Sequence, residues 1–318
     1  MLAKDKTFTD IARELKRSVS TISREIKGYQ ARKTYSALTS QHCAEDLAKS
    51  HHTQRKLDNP LLLCILKEKL KLRWSPEQIA QHLRVTYPDD SLMQVSHETI
   101  YSYLYVQSRG ALKKELIRCL RQHRPTRRTL QKQKEYRGKL VDMVSIHQRP
   151  PEVEDRNVPG HWEGDLIMGA RNQSALGTLV ERKTRFVILV PLRSHDAASV
   201  RKAIARNIRH LPAHLFKTLT YDQGKEMAEH VRFTMDTSVQ VYFADPHSPW
   251  MRGTNENTNG LLRDFFPKGI DFSKVTTKRI REVQHMINER PRETLQWRTP
   301  KVAFEEEMRY HIINNYNN

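Results

Sequence analysis

Three acidic residues in the second half of the chain have the types and the spacing of a catalytic metal site. Asp165 lies inside a short β-rich run, Asp222 ends another such run, and Glu256 opens a helical stretch. Three converging carboxylates repel one another unless a divalent cation neutralises them, so the set predicts Mg²⁺ or Mn²⁺, bound as two ions. Two ions ~4 Å apart can activate an attacking oxygen and stabilise a leaving oxygen in phosphoryl transfer.

Each acid also has a structural interpretation. Asp222 fits a turn residue, and Glu256 fits a helix-start charge favoured by the helix dipole. Other acids compete for the same roles, namely Glu163, Glu226 and Asp245. Glu163 lies two residues before Asp165 on the same strand face, so a shared metal site stays open at this point.

The predicted helix of Glu256 places two more polar side chains beside the acid. Asn259 and Arg263 follow it at i+3 and i+7, on the same helix face. An arginine at that position is suited to hold a phosphate beside the metals. The alternative for Arg263 is a surface ion pair with Asp264 or another neighbour.

The elements that carry these acids follow a change of pattern near residue 150. The first 150 residues indicate helices, and breaks rich in Pro and Gly occur at 149–152 and 158–160. The pattern then predicts strands over 162–168, 175–180 and 185–192, a helix over 197–210, a strand over 217–221, a helix over 225–236, a strand over 239–243, and helices near 254–266 and 277–288. The polar tail 314–318 is expected to fray.

This order of elements predicts how the acids meet. In a ribonuclease-H-like sheet the first and fourth strands are neighbours, so Asp165 and Asp222 would converge. The late helix would pack alongside and bring Glu256 to the same place.

Residues near the N-terminus predict a helix-turn-helix unit, with helices over 8–16 and 21–27. The expected buried positions are Ile11, Ala12, Leu15, Ile22 and Ile26. The second helix would present to a DNA groove the residues Ser20, Thr21, Ser23 and Arg24. Lys16 stands where a turn glycine is common. Met1 falls where a preceding support helix would be finishing, so we expect an N-terminally truncated unit.

A second unit resembles the first. Ser75 is a good N-cap before Pro76, and Ser96 caps another predicted helix. His97 and Tyr101 are candidate groove or phosphate contacts, and an ordinary surface role fits them equally well. Either helix pair alone fits a plain αα-hairpin, but two such pairs in one basic region favour DNA binding.

The distribution of charge supports a nucleic-acid partner. Residues 1–150 hold 30 Lys and Arg against 15 Asp and Glu, whereas residues 151–318 hold 25 against 21. Eleven basic residues lie in 113–139 alone. Such a field attracts polyanions. No apolar run reaches the ~20 residues of a membrane span, and three scattered cysteines support neither a zinc ribbon nor a disulfide scaffold. We therefore expect a cytoplasmic, nucleoid-associated protein without a membrane partner.

Three motifs around the acids carry a family resemblance. They are GHWEGDLIMG, TYDQGKE and PHSPWMRGTNENTNGLLR, with 33 residues between Asp222 and Glu256 and Arg263 seven residues after the glutamate. The stretch RPRETLQWRTPKVAFEE at 290–306 adds a fourth match. Over residues 7 to 307 the sequence resembles transposases of the insertion-sequence-30 family, whose catalytic core is similar to that of retroviral integrases.

The resemblance implies a DDE triad of Asp165, Asp222 and Glu256, two divalent metals, and copying through a circular intermediate with abutted ends. It also implies that helix-turn-helix modules bind the terminal inverted repeats of an insertion sequence. The expected partners are double-stranded DNA, as inverted repeats and as target, and a second copy of the chain in a homodimer or larger assembly on DNA. Asn259 and Arg263 are expected to contact that DNA.

The expected fold class is α+β and multidomain, with N-terminal all-α helix-turn-helix modules followed by a ribonuclease-H-like α/β catalytic core. The expected domains are a helix-turn-helix module at 1–50, a second one at 51–112, a basic linker at 113–150 and the core at 151–318. The expected function is metal-dependent DNA cleavage and strand transfer. One alternative is a DNA-binding regulator that uses only the helix-turn-helix region, and another is a nuclease that cleaves without joining.

Overall fold

A computed structural model of the protein describes residues 6–27, 36–50, 56–107, 140, 142–246 and 248–316. These residues form two compact units, with the boundary between Leu63 and Cys64. The basic segment 113–139 and Met1 lie outside the described residues. Among the described helices, none combines the length and the apolarity that crossing a membrane requires.

The first unit contains the predicted helix-turn-helix, formed by α1 (Phe8–Glu14) and α2 (Val19–Lys27), followed by α3 (Ala37–Ser50). Lys16 has φ 52°, the left-handed conformation that explains why glycine is common at this turn position. The two helices enclose a small core of Ile11, Ala12, Ile22 and Ile26. Leu15 was expected in this core, but its side chain is 48 % exposed because α1 ends at Glu14.

Helix α4 (Pro60–Lys71) contains the boundary, and α5 (Pro76–Thr86) and α6 (His97–Ser102) follow it. Ser75 and Gln78 form a capping box at the start of α5, as the sequence predicted for Ser75 as N-cap. The amide of Gln78 also donates to the Pro291 carbonyl at 2.9 Å. The guanidinium of Arg73 lies 5.6 Å from the centre of the Phe265 ring. These contacts attach the α5 region to residues of the sheet domain within the second unit.

The second unit contains a five-stranded mixed sheet. Its strands are β1 (His161–Met168), β2 (Ala175–Glu181), β3 (Val187–Pro191), β4 (Thr218–Tyr221) and β5 (Gln240–Phe243), in the order β3-β2-β1-β4-β5. The first three strands form an antiparallel meander, while β4 pairs in parallel with both β1 and β5. The prediction that the first and fourth strands are neighbours is confirmed. The mixed sheet and its helices form an α+β fold of the ribonuclease-H-like kind.

Helices cover both faces of this sheet. They are α7 (Glu152–Asp155), α8 (Ala197–Ile208), α9 (His230–Thr237), α10 (Gly253–Leu262), α11 (Thr277–Asn288) and α12 (Pro300–Tyr316). One core joins Trp162 of β1 to Val200 of α8 and Phe304 of α12. The other joins Ile167 of β1 to Leu261 of α10. Because side chains alternate along a strand, Asp165 shares the face of Ile167 and therefore faces the α10 side.

The structure differs from the predicted elements at two places. The helix expected over 225–236 begins only at His230, where α9 starts, and a 3₁₀ turn, Lys225–Met227, precedes it. Helix α12 was not predicted, and it continues to Tyr316 through residues that were expected to fray. The centre of the Phe304 ring lies 4.3 Å from the centre of the Phe186 ring and 6.0 Å from that of Trp162. Tertiary contacts therefore stabilise a helix whose own sequence has only a weak apolar stripe.

Candidate active site

Asp165 lies in the middle of β1, where the strand allows close packing on its other face. Its neighbour Gly164 contacts the Tyr221 ring so closely that a Cβ on the glycine would lie 2.6 Å from ring atoms. A glycine inside a strand marks this kind of approach. In the WEGD motif, Gly164 therefore leaves room for the Tyr221 ring on one face of β1, and Asp165 places a carboxylate on the other face.

Asp222 reaches the same place from the neighbouring strand. In the parallel pairing of β1 with β4, Glu163 is opposite Thr220. Asp165 and Asp222 each come two residues later on the same two strands. The Asp222 carboxylate accepts a hydrogen bond from the Gly224 backbone N–H at 3.0 Å, and this turn fixes its direction. Strand pairing and turn geometry thus bring the two aspartates together, as expected.

Arg252 bridges the two aspartates. Its Nη1 lies 3.5 Å from Asp165 Oδ1 and its Nη2 lies 3.4 Å from Asp222 Oδ2, while Nη1 also donates to the Gly164 carbonyl at 3.0 Å. Burial raises the pKa of the Asp165 carboxyl; Arg252 opposes this shift, and Asp222 adds to it. The site therefore holds two like charges that require a cation between them.

Helix α10 presents one face to this acid pair. Glu256 and Asn259 are three residues apart and so lie on one side of the helix, and Arg252 immediately precedes the helix. The Asn259 amide donates to Asp165 Oδ2 at 3.0 Å. Glu256 is exposed on the same face. Within the described residues, however, no three His, Cys, Asp or Glu side chains converge closely enough to hold a metal ion.

The donors at this site suit a hard divalent cation. Carboxylate and amide oxygens are the ligands that Mg²⁺ and Mn²⁺ prefer. The Asn259 Oδ1 atom is buried and accepts no hydrogen bond within the part of the chain that the structure describes. It therefore offers an unsatisfied oxygen next to Asp165. The guanidinium between the two aspartates shows that this position already accommodates positive charge.

Glu163, the alternative acid on β1, is used elsewhere. Its fully buried carboxylate accepts from Arg182 Nη1 at 2.6 Å and from the Asn255 backbone N–H at 2.8 Å. The Asn255 amide returns a hydrogen bond to the Glu163 carbonyl at 2.8 Å. Glu163 thus anchors the start of α10 to β1 and is committed to that contact instead of to the acid pair.

Comparison with known proteins identifies the family to which this chain belongs. Residues 155–249 match the integrase core domain and residues 1–28 match a helix-turn-helix domain. The chain is 46% identical to the transposase for insertion sequence element IS1086 of Cupriavidus metallidurans, across 94% of this chain and 88% of that protein. It is 43% identical to transposase InsI of IS30A from Escherichia coli K12, across 93% and 78% of the two chains. It is 35% identical to the transposase for IS4351 of Bacteroides fragilis, across 90% and 86%.

The chain belongs to the insertion-sequence-30 family of transposases. It is accordingly a DDE transposase, in which a DNA-binding helix-turn-helix region precedes an integrase core of the polynucleotidyl transferase kind. A regulator that used only the helix-turn-helix region would leave the integrase core without a role.

In this transposase the predicted DNA-reading side chains of the first unit lie on α2. Ser20, Thr21 and Arg24 are exposed and Ser23 is half-buried. Arg24 Nε donates to the Ser20 carbonyl at 3.2 Å, which holds the guanidinium along the helix surface. His97 is exposed at the start of α6, and its Nε2 lies 3.4 Å from Oε1 of Glu98. Their contact with DNA remains a prediction.

Arg263 is more deeply placed in the transposase than either sequence interpretation expected. Its Nη2 donates to the Met168 carbonyl at 3.0 Å, and burial lowers its pKa. Its hydrogen bonds in the structure thus go to backbone carbonyls, that of Met168 at the end of β1 and that of Phe266.

Sequence reasoning missed Arg252 and Asn255. A signal was present for Arg252, because it is a basic residue four positions before Glu256 in the same motif. No comparable signal marked Asn255, whose role depends on strands β1 and β2.

Proposed function

We propose that this transposase binds the terminal inverted repeats of its insertion sequence and uses Asp165, Asp222 and Glu256 as the catalytic triad for DNA cleavage and strand transfer. The observation that carries the proposal is the shared guanidinium: aspartates of neighbouring parallel strands both contact Arg252, which immediately precedes the helix that bears Glu256. The three carboxylates would hold divalent cations, two Mg²⁺ or Mn²⁺.

When bound, such ions supply Lewis-acid activation of the attacking oxygen and charge stabilisation at the leaving oxygen. The chain itself positions the groups around them. Asn259 holds one oxygen of Asp165, the Gly224 N–H holds one oxygen of Asp222, and Glu163 holds the helix that carries Glu256. Displacement of Arg252 from the aspartates would leave its guanidinium beside a DNA phosphate.

The reaction needs no covalent intermediate with the protein. In the first step a water oxygen bonds to phosphorus at the element end, and the P–O bond to the departing 3′ oxygen breaks. In the second step that 3′-OH attacks a target phosphodiester, where one P–O bond forms and another breaks. The triad carboxylates would hold the cations whose positive charge offsets that of the entering and leaving oxygens.

Recognition is assigned to the basic N-terminal half. We propose that Ser20, Thr21, Ser23 and Arg24 read the inverted repeat, that His97 marks a second contact, and that 113–139 holds phosphates without reading sequence. We also propose that Asn259 and Arg263 contact DNA at the catalytic face. Joining two ends to one target favours a homodimer or a larger assembly on DNA, working on the nucleoid in the cytoplasm.

The test combines three conservative variants with one assay pair. Asp165→Asn, Asp222→Asn and Glu256→Gln should each abolish cleavage and joining in Mg²⁺ while a gel shift shows nearly intact end binding. Each change removes a ligand charge and hardly alters shape. Glu282→Gln, on the exposed surface of α11, is the matched control and should join normally.

The outcomes also separate the candidate functions. A transposase cleaves an inverted-repeat end and joins it to a plasmid, whereas a nuclease cleaves without joining and a regulator only binds. Near-normal joining by any of the three variants would remove that residue from the triad.

A further inference from the structure

A cavity of about 450 Å³ lies within the second unit, and part of its lining comes from the 3₁₀ turn Pro249–Arg252. Its lining includes three arginines, one glutamate and one tryptophan, namely Arg149, Arg156, Arg182, Glu154 and Trp250. The lining thus combines positive charge with an aromatic face.

The three arginines of the lining, Arg149, Arg156 and Arg182, form what we call the guanidinium wall. Two of them are hydrogen-bonded to the strands that carry the acids, at positions two residues before each acid. Arg182 donates to Glu163 at 2.6 Å, and Arg149 donates to the Thr220 hydroxyl at 3.1 Å. Glu163 and Thr220 are paired across β1 and β4, each two residues before a catalytic aspartate. Two residues of strand span ~6.6 Å, so the wall stands next to the reacting position.

Three arginines face two carboxylates here. Glu154 contacts both Arg149 and Arg182, and the buried Glu163 is also paired with Arg182. Burial lowers the pKa of Arg149, and the nearby Arg182 charge lowers it further. Arg156 is exposed at the end of α7 and adds a third positive charge to the same cavity. The cavity therefore favours an anionic group.

Trp250 differs from the other large aromatic residues near the core. It is 71 % exposed, whereas Trp162 and Trp74 are buried. It lies on the 3₁₀ turn Pro249–Arg252, two residues before the arginine that bridges the aspartates. An indole that is this exposed leaves most of its apolar area in contact with water, so it contributes little to the stability of the fold. Every nucleobase has a flat face that can stack on such a ring.

We propose that this cavity holds one unpaired nucleotide of the DNA strand next to the reacting phosphate. The base stacks on Trp250, and the phosphate lies against the guanidinium wall of Arg149 and Arg156. This rests on the proposed DNA strand-transfer function and adds a subsite for a single-stranded, splayed nucleotide. It predicts that the transposase prefers a DNA end with frayed or unpaired bases to a fully paired one.

The experiment measures binding without catalysis. Fluorescence anisotropy in EDTA compares a labelled eight-nucleotide single strand with a labelled 20-base-pair blunt duplex. Because base–aromatic stacking is worth about 1–3 kcal/mol, Trp250→Ala should weaken single-strand binding about 5- to 140-fold and change duplex binding less than about twofold. Trp250→Phe should retain most of the affinity. Met235→Ala, another exposed apolar side chain, is the control and should change neither.

The phosphate contact is tested through salt dependence. Arg156 is exposed, so Arg156→Gln should leave the melting temperature unchanged. If its guanidinium holds one phosphate, the slope of log K against log salt for the single strand should fall by about 0.7.

Two results would overturn the proposal. One is an unchanged single-strand affinity in Trp250→Ala, and the other is an equal loss on single strand and duplex. Because no metal or joining step enters the assay, these results are independent of whether Asp165, Asp222 and Glu256 form the triad.

Discussion

Glu163 and Asn255 form a reciprocal clasp between β1 and the start of α10. The Asn255 N–H donates to the Glu163 carboxylate, and the Asn255 amide donates to the Glu163 carbonyl, both at 2.8 Å. Both residues are fully buried. Asp165 follows Glu163 by two residues and Glu256 directly follows Asn255, so this clasp sets where the third acid emerges relative to the first.

Removing the Glu163 charge tests the clasp. Glu163→Gln leaves the buried Arg182 guanidinium without its main counter-charge, which costs about 3–5 kcal/mol of unfolding free energy in comparable buried pairs. Urea denaturation should show this loss. Glu282→Gln breaks an exposed pair with Arg279 and should cost about 0–1 kcal/mol. Equal losses in the two variants would mean that Glu163 carries no special structural role.

Asp165→Asn should stabilise the folded protein at pH 7 in EDTA. Burial raises the Asp165 pKa above its unfolded value, so the folded state binds this proton more readily than the unfolded chain. The charged carboxylate therefore lowers stability at neutral pH, and wild type recovers this stability as pH falls through the raised pKa. The gain in the Asn variant should shrink over the same range. A gain that is independent of pH would contradict the linkage.

Arg252→Ala should make the protein bind Mn²⁺ more tightly. The guanidinium and the ion compete for Asp165 and Asp222, so removing the guanidinium frees both carboxylates. Titration of the melting temperature with Mn²⁺ should give an apparent Kd about tenfold lower than wild type, equal to ~1.4 kcal/mol. Adding Asp222→Asn should abolish the effect. A Kd unchanged from wild type would mean that the ion binds elsewhere.

Arg24→Ala should weaken binding to the inverted repeat by about 1–3 kcal/mol if the guanidinium makes a bidentate base contact. Substitutions of Lys or Arg within 113–139 should instead weaken all DNA alike and flatten the salt slope. Gel shifts on specific and random duplexes distinguish the two. Arg13→Ala, an exposed arginine on α1, serves as the control. Equal losses on both duplexes for Arg24→Ala would reassign it to phosphate contact.

Arg263→Ala should slow strand transfer more than it lowers Tm, and Arg263→Lys should recover only part, since lysine cannot copy the guanidinium fork. The hydrogen bond to the Met168 carbonyl adds a structural cost of about 0.5–3 kcal/mol. Tm and joining rate are measured on the same preparations, with the exposed Arg279→Ala as control. Wild-type joining by the Ala variant would make Arg263 a structural residue only.

The sequence by itself determined most strands and helices of the core, in their order along the chain, and the positions of the acids on them. Alternation, breaks and caps are local signals, so β1, β2, β4 and α11 begin and end close to where the pattern predicted them. The turn at Lys16 was visible as well, since the left-handed conformation has a known preference for glycine.

Only the tertiary structure decided between chemically equivalent side chains. Glu163 and Asp165 lie on one strand face and cannot be told apart by spacing, but Arg182 and Asn255 converge on the first and Arg252 and Asn259 on the second. Those partners are 19 to 94 residues away along the chain. The burial and the electrostatic environment of a side chain depend on such distant neighbours. The local sequence pattern could therefore place the acids along the chain but could not assign a role to each.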